Sequence, residues 1–242
     1  MTKLTPLAAL LISIGLTACN DSNNDSFLVA DFGETSPVDF SYDFTIEDYN
    51  AVAIFSDYPK DGEEFHELGS SYENLPATFS DMKGWKLNSN NHSDDVLMAI
   101  KIPVDGLRAA TLYKATLTVD ILTNVSKNCV GIGGAPGESV YVKLAASKEE
   151  PLNILDNDMY RINIDIGNQS QSGTEGLSVG NIANSIECGA ETVYEMKTLA
   201  MAESIDVMSD DTGKVWLTSG FDSGFEGYTE VFITKLTANI VE

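Results

Sequence analysis

Tyr113-Lys114-Ala115-Thr116-Leu117-Thr118-Val119-Asp120-Ile121 alternates apolar and polar residues without a break. In extended backbone successive side chains point to opposite faces, so Tyr113, Ala115, Leu117, Val119 and Ile121 share one face and Lys114, Thr116, Thr118 and Asp120 the other. The stretch therefore predicts a β-strand with one side on a core and one side in water. The same period returns at Val38–Phe44, Val140–Leu144, Tyr160–Ile166, Val215–Thr218 and Val231–Ile240. Val96–Ile102 is more continuously apolar, as in a strand covered on both faces. Asp105-Gly106, Gly131 to Gly137, Asp156-Asn157-Asp158, Gly167-Asn168, Asp211-Thr212-Gly213 and Asp222-Ser223-Gly224 supply turn chemistry between these runs.

About ten strands joined by polar turns predict an all-β chain folded as an antiparallel two-sheet β-sandwich. The helical period is hard to find, and a short helix fits only near residues 46–52 or 199–203. No internal repeat is visible and nothing marks a second domain, so residues 37–242 are expected to form one β-sandwich domain.

The N-terminus has a different character. Lys3 precedes an apolar run from Leu7 to Leu16, which has the length of a signal-peptide core and is too short to span a bilayer. Leu16-Thr17-Ala18-Cys19 closes it and resembles the lipobox of bacterial lipoproteins. That resemblance implies cleavage after residue 18, lipidation of Cys19 and a chain held in the bacterial cell envelope by its acyl groups. In that family an Asp at the next position favours retention in the inner membrane, so Asn20 points to the outer membrane, on its periplasmic or surface face. Residues 19–36 begin with Asn20 to Ser26, a polar run that reads as a flexible tether.

The full sequence carries 14 basic and 37 acidic residues, a formal charge of −23. Loss of Lys3 with the leader takes the basic count from 14 to 13 and the charge from −23 to −24. Such an excess argues against nucleic acid or anionic lipid as a partner, since both select basic patches. With Cys19 lipidated, Cys129 and Cys188 remain. In an oxidising compartment they are expected to pair as a disulfide, worth roughly 4 kcal/mol on the chain-entropy model. Two buried thiols or a metal pair are the alternatives.

Gly106-Leu107, followed by Thr111-Leu112-Tyr113 and the strand to Val119, resembles a segment of galactose-binding-like jelly rolls, the fold of many carbohydrate-binding modules. The resemblance implies a jelly-roll sandwich, an inward-packed Tyr113 and a strand crossing the core. Longer segments, Asn90–Asp95, Gly131–Val140, Tyr160–Ser170 and Asp222–Gly227, resemble a group of uncharacterised bacterial lipoproteins, and that resemblance brings no activity with it.

Candidate chemistry is sparse. His92 with Asp94 and Asp95 is the densest titratable cluster, able to serve a structural, binding or acid–base role. A nucleophile elbow of the form Gly-x-Ser-x-Gly is missing, because Gly137-Glu138-Ser139-Val140 breaks it. The Gly131–Glu138 loop lacks the Lys of a phosphate cradle and leads into a strand, so its glycines read as a tight backbone path. Histidine-rich metal sites are excluded by a total of two histidines. Calcium accepts scattered oxygen ligands, and one structural calcium at Asp156 and Asp158 is the candidate, against solvated turn acids.

For a glycan, exposed rings and planar hydrogen-bonding groups are required. Tyr58, in Asp57-Tyr58-Pro59, is the ring expected at the surface, while Trp216 lies in a strand and reads as core. Arg161, Asn163 and Asp165 form a polar stripe leading to Asn168 and Gln169. Together with Asn91, His92, Asp94, Asp95, Glu138, Asp222 and Glu226 they are the candidate ligand-binding residues. The sequence reads as a membrane-anchored, non-catalytic lipoprotein binding a glycan or other polar ligand. A structural envelope protein, or a hydrolase using His92 or paired carboxylates, are the alternatives.

Overall fold

The computed structural model describes residues 39–45, 51–93 and 95–242. The leader, Cys19, the tether and Asp94 lie outside the described residues. Fifteen strands make up the described fold: β1 Asp39–Thr45, β2 Val52–Ser56, β3 Tyr58–Pro59, β4 Gly69–Asn74, β5 Lys83–Asn90, β6 Val96–Val104, β7 Leu112–Thr123, β8 Val140–Ser147, β9 Asn153–Asp156, β10 Met159–Ile162, β11 Gly176–Asn181, β12 Glu195–Ala200, β13 Ile205–Met208, β14 Val215–Ser223 and β15 Tyr228–Val241. Every strand pair is antiparallel.

One sheet runs β12-β7-β15-β5-β4, with β13 beside β12 along β7 and β1 pairing β15. The other runs β11-β8-β14-β6-β2. If β12 and β13 are taken as one interrupted strand, the interleaved orders β5-β15-β7-β12 and β6-β14-β8-β11 are those of a jelly roll. The expected all-β, two-sheet sandwich is the observed architecture. Tyr113 is buried and accepts a hydrogen bond from Arg108 N through its hydroxyl. Leu117, Val119 and Ile121 of β7 meet Met98, Ile100 and Ile102 of β6, Val142 and Leu144 of β8 and Leu217 and Phe221 of β14 in the core between the sheets.

The reverse face of the five-stranded sheet is also covered. Leu97 and Ala99 of β6 and Ala145 of β8 pack beneath Ile164 and Ile166. This double burial explains the unbroken apolar run in β6. It also corrects one expectation: the strand predicted over Tyr160–Ile166 stops at Ile162. From Asn163 the chain leaves the ladder and lies across the sheet. Its side chains still alternate between water and an apolar surface, so the period persists without strand pairing.

Two further expectations change. Leu199 and Ala200 close β12, and Met201 N bonds Leu117 O, so no helix forms at 199–203. Residues 46–50 lie outside the described residues, and Val52 already belongs to β2. Cys129 and Cys188 form the expected disulfide. A small third sheet, β3-β10-β9, stands beside β2.

Candidate functional site

The outer face of the five-stranded sheet carries an unusual pair for a surface hidden from water. Lys143 of β8 and Asp222 of β14 have side-chain exposures of 1% and 4%, with Nζ 3.7 Å from Oδ2. Both sit in the polar phase of their strands and would face solvent, were the 163–174 segment not laid over them. Lys143 Nζ donates to Gln171 O at 2.6 Å and Ile166 O at 3.2 Å, so a buried ammonium ties that segment to the sheet. Burial pushes the Lys143 pKa down and the Asp222 carboxyl opposes it. Asp222 Oδ2 accepts from Gln169 N at 2.7 Å. Burial raises the Asp222 pKa, with Lys143 pulling it back.

Asp95, just before β6, joins this pair from the side. Its Oδ2 accepts from Asn168 Nδ2 at 2.7 Å and lies 3.8 Å from Arg161 Nη1. Burial first, then the charges of Asp222 and Asp57, push its pKa up to about 7. Arg161 of β10 donates to Asp57 Oδ1 at 2.6 Å, a bond that raises its own pKa. Asp57 holds a left-handed backbone (φ 63°) between β2 and β3.

Asp165 closes the segment on itself. Its carboxylate accepts from Thr174 N and Thr174 Oγ1 at 2.9 Å and from Gly167 N at 3.2 Å, and these bonds hold it below the usual carboxylate range. Gly167 has φ 72°, and a Cβ there would meet Gln171 O at 2.2 Å. The result is an open cleft of about 590 Å³. Asp57, Arg161, Asp165 and Asn168 line it with Ile162, Ile164, Ile166, Gly167 and residues 171–174.

The structure thus brings Asp95, Arg161, Asp165, Asn168, Gln169 and Asp222 together and leaves the other candidates elsewhere. Asn91 is buried and donates to Ser223 O and Phe225 O, tying two loops. His92 stacks on Phe65 at 4.3 Å and lies 5.7 Å from His66, while Asp95 turns to Asn168 and Asp222. Asn163 accepts from Leu152 N and donates to Glu150 O, bracing the entry to the covering segment. Glu138 accepts from Asn128 N beside the disulfide, and Glu226 bridges Ile132 through backbone.

Asp156 pairs with Met159 across a two-residue hairpin turn made of Asn157 and Asp158, which have φ 48° and 64°. Asn and Asp tolerate that conformation, so turn chemistry accounts for them. Asp156 Oδ1 accepts from Asn157 Nδ2, and among the described residues no group of three or more His, Cys, Asp or Glu is arranged for a metal ion.

The rings also differ from expectation. Tyr58 is buried against Tyr160 at 5.0 Å. Its phenol pKa is pushed up to about 12, first by burial and then by Glu63. Trp216 is half-buried on the outer face with Lys101 and Lys214 over its ring. Among the described residues the exposed rings include Phe65, at 65%, and Tyr228, at 52%. Sequence reading missed Lys143 and Asp57. Lys143 occupies a polar position of an alternating strand, and only the tertiary cover over it makes it special.

No protein-family model matches the chain, and no curated protein matches it. Among solved structures it is similar to the enzymatically active domain of tailspike protein 4 of bacteriophage CBA120, at 9% identity and TM-score 0.31 over 78% of this chain. It spans 19% of that tailspike chain. It is also similar to the K1 cleaved adhesin domain of Lys-gingipain from Porphyromonas gingivalis W83, at 12% identity and TM-score 0.34, covering 85% of this chain and 98% of that one. A third similarity is to carbohydrate-binding modules of the β-sandwich superfamily, at 9% identity and TM-score 0.31, covering 81% of this chain and 54% of that one.

Proposed function

We propose that this chain is a lipid-anchored, non-catalytic protein of the bacterial envelope that binds a neutral glycan in the cleft beneath Arg161. The observation that carries this reading is the cleft itself, about 590 Å³ and open, whose planar groups are fixed before any ligand arrives. Arg161 is clamped on Asp57, Asn168 on Asp95, and Asp165 on three donors of its own segment. Planar guanidinium, carboxylate and amide groups bond adjacent hydroxyls two at a time, and a site ordered in advance loses less entropy on binding. Ile162 offers apolar wall to the C–H face of a sugar ring. Four carboxyl groups gather here against two cations, and the chain as a whole has a charge of −23, so uronic and sulfated polymers are disfavoured.

The anchor suits this reading. The described chain starts at Asp39, which pairs with Val241, itself paired with Lys114 near the start of β7. Asp95 precedes the opposite end of β6, and Asp222 is paired there with Leu97. The described chain thus enters the sandwich at the end opposite the acidic pair beside the cleft.

The test is a glycan array probed with the full chain in detergent, spanning neutral, amino and uronic polysaccharides. Binding confined to neutral or amino sugars supports the reading, and no binding to any class removes it. A second reading, a scaffold docking on an envelope partner, is favoured by Val130 and Ile132, exposed at 95% and 71% on the disulfide-stapled loop. Crosslinking in cells from position 130 separates the two.

A further inference from the structure

Two oxygens beneath the cleft have no hydrogen-bond partner. Asp95 Oδ1 and Asp222 Oδ1 are both sealed from solvent and neither accepts a bond from the protein. The two carboxyl groups hold the adjacent residues Asn168 and Gln169, and each acts on the other's ionisation. A carboxylate has no donor of its own. Two ionised groups here would set lone pair against lone pair where little water screens them, and a single proton between them satisfies both oxygens.

We infer that Asp95 and Asp222 share one proton, and that this proton holds the ligand cleft in shape. The surrounding charges agree. Lys143 reaches the pair from β8, Arg161 from β10 and Asp57 from the β2–β3 link, with Asp165 in the covering segment and Asp156 on β9 acting further out. Around the pair, Lys143 and Arg161 face three acids, Asp222, Asp57 and Asp95, so full ionisation would leave one negative charge in excess. Asp165 has its own three donors in Thr174 and Gly167.

The link to the cleft is direct. Asp95 holds Asn168 through its side chain and Asp222 holds Gln169 through its backbone N–H, adjacent residues of the covering segment. Loss of the proton places two like charges together and drives Asp95 and Asp222 apart, pulling on consecutive residues at the cleft wall. The Asp95 pKa is raised to about 7 from an unfolded value near 3.9. The native state therefore binds the proton more tightly. Its contribution to stability is full below about pH 4, is lost as pH rises towards about 7, and changes no further above that.

The gating half of this inference rests on the glycan reading, while the shared proton does not. The test uses the full chain in detergent with aspartate labelled at the carboxyl carbon, titrated by NMR. One aspartate signal moving with a midpoint near 7, and missing from Asp95→Asn, is expected. Every aspartate titrating below about 5 overturns the proposal. A second measurement follows urea unfolding midpoints against pH. The wild type declines between about pH 4 and 7 relative to Asp95→Asn, whose amide keeps a donor in place, and parallel profiles overturn the shared proton.

With a glycan selected on the array, wild-type affinity is expected to fall by up to about tenfold per pH unit above 7, with Asp95→Asn level. Equal wild-type affinity on both sides of pH 7 overturns the gating. Binding of no glycan at any pH removes the glycan reading, while the carboxyl titration still decides the proton.

Discussion

Lys143 Nζ lies 3.7 Å from Asp222 Oδ2, and both side chains are sealed beneath the segment that lines the cleft. The pair is where sheet and cleft meet: Asp222 holds Gln169, and Lys143 holds the carbonyls of Ile166 and Gln171. Replacing Lys143 by Met leaves a buried carboxylate and two carbonyls without their cation. Breaking a buried pair from one side costs roughly 3–5 kcal/mol. The Lys143→Met, Asp222→Asn double variant is expected to lose less than the sum of the single variants, measured by urea denaturation. Strict additivity would show that the two residues act independently.

Asp165 should govern the acid side of stability. Its folded pKa is depressed by its bonds to Thr174 and Gly167, so its contribution is present above the unfolded value near 3.9 and is lost as pH falls through the folded one. Asp165→Asn is expected to flatten the acid limb of the stability profile. The amide protons of Thr174 and Gly167 should exchange faster in this variant, with β7 and β14 unchanged. Hydrogen exchange read by NMR checks both statements.

Gly167→Ala puts a Cβ within 2.2 Å of Gln171 O at a residue whose φ is 72°. The strain is expected to displace the 165–174 segment, lowering the unfolding temperature by several degrees, since a positive φ costs a non-glycine residue about 1 kcal/mol even without a clash. The far-ultraviolet spectrum of the sandwich should not change. Loss of glycan binding with a native spectrum is the expected combination.

The Cys129–Cys188 bridge closes a separation of 59 residues. Cys129→Ser and Cys188→Ser are each expected to destabilise by roughly 4 kcal/mol on the chain-entropy model, and the double variant by no more than either. Thermal unfolding with and without reductant measures this. An unchanged melting temperature on full reduction would contradict it.

The sandwich was legible because its signal is local. Tyr113 to Ile121 presents one clean apolar face, and Val231 to Ile240 presents one on each side of a register shift between Ile233 and Lys235; both lie in the core. Asp156-Asn157-Asp158 was equally legible as a turn, its left-handed residues being types that tolerate that backbone. Six of the candidate residues do meet, because Arg161 to Gln169 run together in the chain and fold back over Asp95 and Asp222.

The rest was not legible because tertiary cover decides it. Lys143 reads as a solvent-facing lysine until the 163–174 segment is laid over it. The alternation of Ile162, Ile164 and Ile166 fits a strand and a surface-hugging segment equally well. Tyr58 reads as a loop ring and is buried by Tyr160, a residue about a hundred positions away. Whether His92 stands beside Asp95 or beside Phe65 is likewise a contact that spacing does not encode.

The central claim is that the cleft under Arg161 binds the ligand, and calorimetric titration of a glycan selected on the array tests it most directly. Arg161→Ala is expected to weaken binding by about tenfold or more, the scale of one charge-assisted hydrogen bond. Phe65→Ala, at the exposed ring beside His92, should leave the affinity unchanged. Full affinity in Arg161→Ala, with binding lost in Phe65→Ala, would contradict the account and move the site to the Phe65–His92 surface.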